Sequence, residues 1–207
     1  MEPVFSNIID WYKFYELEET LAEISDVSER KTRQKLLDRI SDTIAEYEAQ
    51  VRTYARRQTV QELLNRGLVI KPTEKAPVLA EWNRLFDNHV SAAVKESTPQ
   101  YSDQFCWHLF SFDLLPSLQA DSARTAFDAA DKDTLYLFFE CTDEAYILQN
   151  AHLLTADDIE AIKENSPLEQ MDLYFLDSVR KWTYIKPHEE YCGPYFCQAE
   201  SESPITQ

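Results

Sequence analysis

Glycine is nearly absent: the chain of 207 residues holds two, Gly67 and Gly193. A P-loop, a dinucleotide fingerprint and a G-x-S-x-G elbow each need glycines close together, because the backbone must turn sharply or approach its ligand there. Two glycines so far apart exclude these classes in their usual forms, and no cofactor is expected. Long apolar runs are also missing, none nearing the roughly 18–20 residues that span a bilayer. The opening MEPVFSNIIDWYKFYELEE is acidic and aromatic and lacks the basic start and small-residue cleavage site of a signal peptide. A soluble, cytoplasmic protein without membrane association is the expectation. Cysteine is sparse too. Cys106, Cys141, Cys192 and Cys197 are too few for a disulfide scaffold and, in a reducing cytosol, read as small buried hydrophobes.

Positive charge is scarce in one part of the chain only. Of 20 basic and 37 acidic residues, 12 and 14 fall in residues 1–75, leaving 8 and 23 in residues 76–207. The two balances are −2 and −15. A field of the second kind repels nucleic acid and anionic lipid and favours a basic protein partner. Acidic surface also keeps a protein dissolved, which accounts for many single charges.

What is present is a core. Hydrophobic residues make up 44% and aromatics 13% of the chain, enough to exclude disorder. Residues 1–67 read as a helical hairpin. Phe14, Leu17, Leu21 and Ile24 make one stripe, preceded by Trp11, and SDVS at 25–28 breaks it with three possible caps. Leu37, Ile40, Ile44, Tyr47, Val51 and Tyr54 then keep the 3-4 rhythm of a coiled-coil seam, which predicts a possible homodimer through the hairpin. Gly67 followed by Leu68 looks like a helix stop. Arg52, Arg56 and Arg57 are interspersed with acids and read as a solvated face.

Residues 68–77, with two prolines, read as a linker. Residues 78–197 read as an acidic α+β domain, with helices on one side of a small, mainly antiparallel sheet of three or four strands. Leu79, Trp82, Phe86, His89/Val90 and Ala93 predict one helix to about Lys95. Cys106–Leu115 predicts a buried strand, Ser122–Ala130 a helix, and Thr134–Glu140 a strand buried on both faces. Thr142 is expected to cap a helix carrying Ile147, Leu148 and Leu153, and Thr155–Asp158 another helix. Met171–Asp177 and Lys181–Ile185 predict an antiparallel hairpin. Residues 198–207 read as a polar tail.

Four phrases stand out together: WHLFSF (107–112), AYILQNAHLLTADD (145–158), DLYFLD (172–177) and WTYIKPHE…GPYF (182–196). They resemble an uncharacterised family of bacterial, Bacillus-like Firmicutes proteins classed as a domain of unknown function. The resemblance covers about residues 78–197 and leaves out the hairpin. Pro187 stands where the family pattern has threonine, so no role for that hydroxyl carries over. The resemblance implies neither an activity nor a catalytic residue.

Lys181–Phe196 packs a tryptophan, three tyrosines, a His-Glu pair and a cysteine into sixteen residues. As architecture, Trp182 and Tyr184 share one strand face, Gly193-Pro194 turns the chain, and Tyr195 and Phe196 return to the core. Exposed Trp182, Tyr184 and Tyr195 would equally suit a protein interface. As chemistry, Cys106 and His108 would project from one face of a strand and could meet His188, Cys192 or Cys197 in a zinc site. The paired spacing of strong zinc motifs is missing, and hydrogen-bonded histidines beside packed cysteines are the simpler reading. His188 with Glu189 or Glu190 is the candidate for acid-base work, and Cys106 or Cys192 for a nucleophile. Two functions follow from the residues. One is an acidic interaction or inhibitor module that covers a basic protein as immunity proteins cover nuclease toxins. The alternative is a metal-binding or hydrolytic enzyme centred on Cys106, His108, His188 and Cys192. The lack of catalytic motifs favours the first.

Overall fold

The computed structural model describes residues 11–99, 101, 105–140, 142–164, 171–189 and 191–199. Cys141, Glu190 and the tail from residue 200 lie outside the described residues. The chain divides into two compact units, residues 1–57 and 58–207.

The first unit is helical, as the stripes predict. α1 (Trp11–Ala22) is followed by α2 (Val27–Asn65), a helix of 39 residues with no glycine or proline inside it. Asp26 caps α2: its Oδ1 accepts from the backbone N–H of Ser28 at 2.8 Å and of Glu29 at 2.9 Å. Along the seam, Leu37 is buried and Ile44 and Val51 are half-buried, while Ile40, Tyr47 and Tyr54 stay exposed. The far end of α2 opens the second unit and stops where Gly67 predicts. Gly67 has φ +92, its N–H donates to Leu64 O, and the Leu68 N–H donates to Leu63 O. Those two bonds form a Schellman motif, and the left-handed backbone it needs is one that glycine enters without a Cβ clash.

The second unit is built on one antiparallel sheet of seven strands in the order β1-β4-β3-β5-β6-β7-β2. These strands are β1 (Val69–Glu74), β2 (Leu118–Gln119), β3 (Thr134–Phe139), β4 (Glu144–Gln149), β5 (Leu173–Asp177), β6 (Trp182–Lys186) and β7 (Tyr195–Gln198). The expected 68–77 linker is thus corrected: β1 is an edge strand paired along its length with β4. Its prolines suggested a break, but an edge strand tolerates a proline whose missing N–H would face the open side.

Helices cover both faces of this sheet, not one. α3 (Lys75–Leu85) and the single-turn α5 (His108–Ser111) pack on one face, where Trp82 and Phe110 meet edge-on, with α4 (Ala92–Ser97) between them in the chain; α6 (Ala120–Ala129) packs on the other face with α7 (Ala156–Glu164) beside it. Tyr174 and Phe175 are neighbours on β5 and must point oppositely. Tyr174 meets Trp82 of α3 edge-on at 6.3 Å, whereas Phe175 meets Phe127 of α6 at 6.0 Å. Two covered faces explain why β5 and β6 are buried at every position. The α3 side is pinned by a hydrogen bond: Trp82 Nε1 donates to Thr183 Oγ1 at 3.1 Å, and Thr183 Oγ1 donates to Phe175 O at 2.9 Å.

Three local expectations are also corrected. Cys106–Leu115 is a turn and α5, not a strand; its apolar run lies over the sheet, and a short apolar run carries no period that separates strand from helix. The segment after Thr142 is β4, with Ala145 and Leu148 buried, not a helix. The helix drawn to Lys95 breaks at Phe86 into a 3₁₀ turn (Asp87–His89), and Ser91 caps a separate α4. By contrast, the Thr155–Asp158 capping box is formed reciprocally, Asp158 N–H to Thr155 Oγ1 and Thr155 N–H to Asp158 Oδ2.

Candidate binding groove

The site forms where α3, the 3₁₀ turn and α4 face the end of β3. Strand β3 is apolar from Leu135 to its end at Phe139, and Glu140 follows it, so a carboxyl group stands just beyond the sheet. Glu140 Oε2 accepts from Tyr174 Oη at 2.5 Å and from the Cys106 backbone N–H at 3.4 Å. Lys75 comes close enough for its charge to act on Glu140, yet its Nζ donates to Phe139 O at 2.6 Å. Burial raises the Glu140 pKa above the usual carboxylate value, against the lowering effects of the Tyr174 hydrogen bond and Lys75. The Tyr174 hydroxyl and the Cys106 thiol are likewise pushed up, in each case first by burial.

Cys106 and Glu140 form part of the wall of an open groove of ≈ 600 Å³. Leu79, Val90 and Ala92 line it with apolar surface, and Asp87, Lys95 and Glu96 carry its charges. Lys95 Nζ is 2.5 Å from Asp87 Oδ1, an ion pair that joins α4 to the 3₁₀ turn, with the lysine side chain 14% exposed.

The predicted site residues are distributed differently. His108 is buried among rings, with Tyr101, Phe105, Trp107 and Phe112 at centroid distances of 4.5–6.0 Å. His188 shares Phe105 and Trp107 with it, at 5.6 and 6.1 Å. Cys106 instead turns to Glu140. On a helical turn, residues two apart point about 200° from each other, whereas on a strand they would share a face. The turn therefore separates the Cys106–His108 pair. Among the described residues, no three His, Cys, Asp or Glu side chains come together as a metal-holding group. Cys192 Sγ donates to Glu189 Oε2 at 3.3 Å, and burial raises its pKa, with Glu189 adding to the shift. Neither Cys106 nor Cys192 has the lowered pKa of a nucleophile.

Trp182, Tyr184 and Tyr195 are all buried, so the expected interaction surface on them is corrected to core. Trp182 and Tyr184 pack on Phe127, and Tyr195 stacks on Phe110 at 5.8 Å. The His188 imidazole is oriented by Asp172, a residue the sequence reading passed over along with Glu140, Tyr174, Asp87 and Lys95. One signal was available for two of them: Asp172 and Glu140 are carboxylates flanking continuous apolar strands, where no solvated helix face explains them.

The fold and groove define an acidic α+β domain with a helix-covered antiparallel sheet and a carboxylate-walled cleft. The chain belongs to the family described as Domain of unknown function (DUF4275), which matches residues 58–196. That match begins at the boundary of the second unit and takes in six strands of its sheet and the first two residues of β7. Nothing among curated proteins or solved structures matches the chain. Among the described residues, no helix is long and apolar enough to cross a membrane.

Proposed function

We propose that this chain is an acidic interaction or inhibitor module, a cytoplasmic bacterial protein that covers a basic protein partner. The observation that carries the reading is the groove, where Asp87, Glu96 and Glu140 converge with a single lysine in a sequence segment of balance −15. Like charges gathered on one surface raise each other's energy, and a basic partner relieves that repulsion while steering its own approach. The pushed-up thiols of Cys106 and Cys192 give no support to a nucleophilic centre. A homodimer through α2 belongs to the same reading, because Ile40, Tyr47 and Tyr54 leave half of a 3-4 seam exposed.

The test is affinity capture with the full chain at low and high ionic strength, followed by identification of what is retained. A basic protein held at low salt, released at high salt and lost with Glu96→Gln is the expected result. Retention of no basic protein, or retention indifferent to salt, overturns the reading.

A further inference from the structure

We infer that the groove beside α3 and α4 is a binding site for one alkyl cation, a guanidinium or ammonium group on an aliphatic stem, with Glu140 as its counter-ion. The inference rests on the basic-partner reading above and names the group that such a partner would insert.

Shape comes first. A cleft of ≈ 600 Å³ is within the size range of small-ligand sites. Leu79, Val90 and Ala92 offer apolar surface to an aliphatic stem, and Glu140 stands on the wall with them. Long cationic side chains bury in this way, stem along apolar surface and head on a carboxylate.

The carboxyl group is half used. Oε2 of Glu140 takes both hydrogen bonds, from Tyr174 and from the Cys106 N–H. Oε1 has no hydrogen-bond partner among the described residues, and Glu140 has no ion pair among them. Lys75 is the nearby cation, but its Nζ is held by Phe139 O. A half-buried carboxylate without an ion pair is disfavoured relative to a solvated one, and an incoming N–H donor with positive charge corrects both deficits together.

The groove already holds one group of the proposed class. Lys95 lays its own alkylammonium side chain there against Asp87. A second cation meets Glu140 and Glu96, the two groove carboxylates that Lys95 does not engage. Anions are disfavoured by the same residues.

Proton linkage adds an independent readout. The groups that act on Glu140 are Lys75 at the start of α3, Asp172 ahead of β5, Tyr174 on β5 and Cys106 ahead of α5. Tyr174 and Cys106 stay neutral because burial pushes both up, so Lys75 and Asp172 act with opposite signs. Burial raises the Glu140 pKa and a bound cation lowers it, so binding releases a proton at any pH where the free groove still holds Glu140 protonated.

The experiment is calorimetric titration of the full chain with butylguanidinium and with butylurea, its neutral counterpart of the same shape. Saturable binding of butylguanidinium alone is expected, with proton release seen as a dependence on buffer ionisation enthalpy. Glu140→Gln should weaken it about tenfold, the equivalent of one charge-assisted hydrogen bond. Equal binding of the two probes, no binding of either, or an unchanged affinity in a folded Glu140→Gln chain overturns the inference. Should that variant not fold, the probe pair and the proton release in the unaltered chain still decide. Spermidine and acetyl-arginine methylamide form two further arms, and the tighter of them identifies a free polyamine or a peptide side chain as the source. Salt-sensitive capture of a basic protein without butylguanidinium binding would sink the groove and leave the module standing. Butylguanidinium binding without a captured protein would do the reverse.

Discussion

One oxygen of Asp172, Oδ1, accepts twice from His188: the backbone N–H at 2.6 Å and ring Nδ1 at 2.9 Å. A carboxylate opposite Nδ1 makes that nitrogen the donor and sets the ring's orientation. Asp172 is 1% exposed, so the clasp ties the entry to β5 to the exit from β6 beneath solvent. Asp172→Ala takes the acceptor from the part-buried His188 N–H and from its ring, and should lower unfolding free energy by about 1–3 kcal/mol. Urea denaturation measures it, and a change within about 0.5 kcal/mol would show that the clasp carries no weight.

Thr183 links three elements through one hydroxyl, accepting from Trp82 and donating to Phe175. Thr183→Val keeps the shape and strands the indole N–H in the core. A loss of about 1–3 kcal/mol is expected. The comparison with Trp82→Phe is diagnostic: if the two are linked only by this bond, the double variant costs clearly less than the sum of the singles.

Gly193 has φ +71, and a Cβ built there would lie 2.8 Å from Pro187 Cδ and 3.1 Å from the Tyr195 ring. Both the backbone conformation and the space resist a side chain. Gly193→Ala should cost about 1–3 kcal/mol in thermal or urea unfolding. An unchanged melting temperature would mean that the turn adapts freely.

Burial raises the thiol pKa of Cys106, and that of Cys197 to about 12. Because the thiolate is the reacting form, both should resist iodoacetamide at mildly alkaline pH in the folded chain and react once urea unfolds it. Peptide mapping of the alkylated sites gives the result. Rapid labelling of native Cys106 would restore it as a nucleophile candidate.

Glu140 has a folded-state pKa above its usual value of 4.5. The folded chain therefore holds its proton where the unfolded chain has lost it, and this contribution to stability, complete below 4.5, declines as pH rises through the folded-state value. Glu140→Gln removes the decline. Unfolding free energy measured across that interval should fall less steeply with pH in the variant, and identical slopes would remove Glu140 from the account.

Much of the fold could be read locally. The α2 stop at Gly67, the capping box at Thr155 and the β5–β6 hairpin depend on neighbours within a few residues, so their chemistry is visible in order along the chain. The errors share one cause. Leu68–Pro77, Cys106–Leu115 and the segment after Thr142 take their form from partners outside themselves: β1 from the distant β4, the 106–115 turn from the sheet it covers, and β4 from the distant β1 on one side and the neighbouring β3 on the other. The site suffered most, because the strand reading placed Cys106 and His108 on one face, and a helical turn parts them.

The stretch from Lys181 to Phe196 shows the division clearly. Its sequence alone determined a strand, a glycine-dependent turn and a return of Tyr195 and Phe196 to the core, because alternation and left-handed backbone are local properties. Charge balance was equally plain in the sequence, since it is a sum over residues. Only the tertiary structure decided that Trp182 and Tyr184 are core, because a helix from residues 120–129 covers that face of the sheet. It also decided that Asp172 orients His188, and that Glu140, bonded to Tyr174, ends beside Cys106 on a groove wall. Those pairings join residues 16 and 34 positions apart, and nothing in the local pattern of the chain encodes which strands become neighbours.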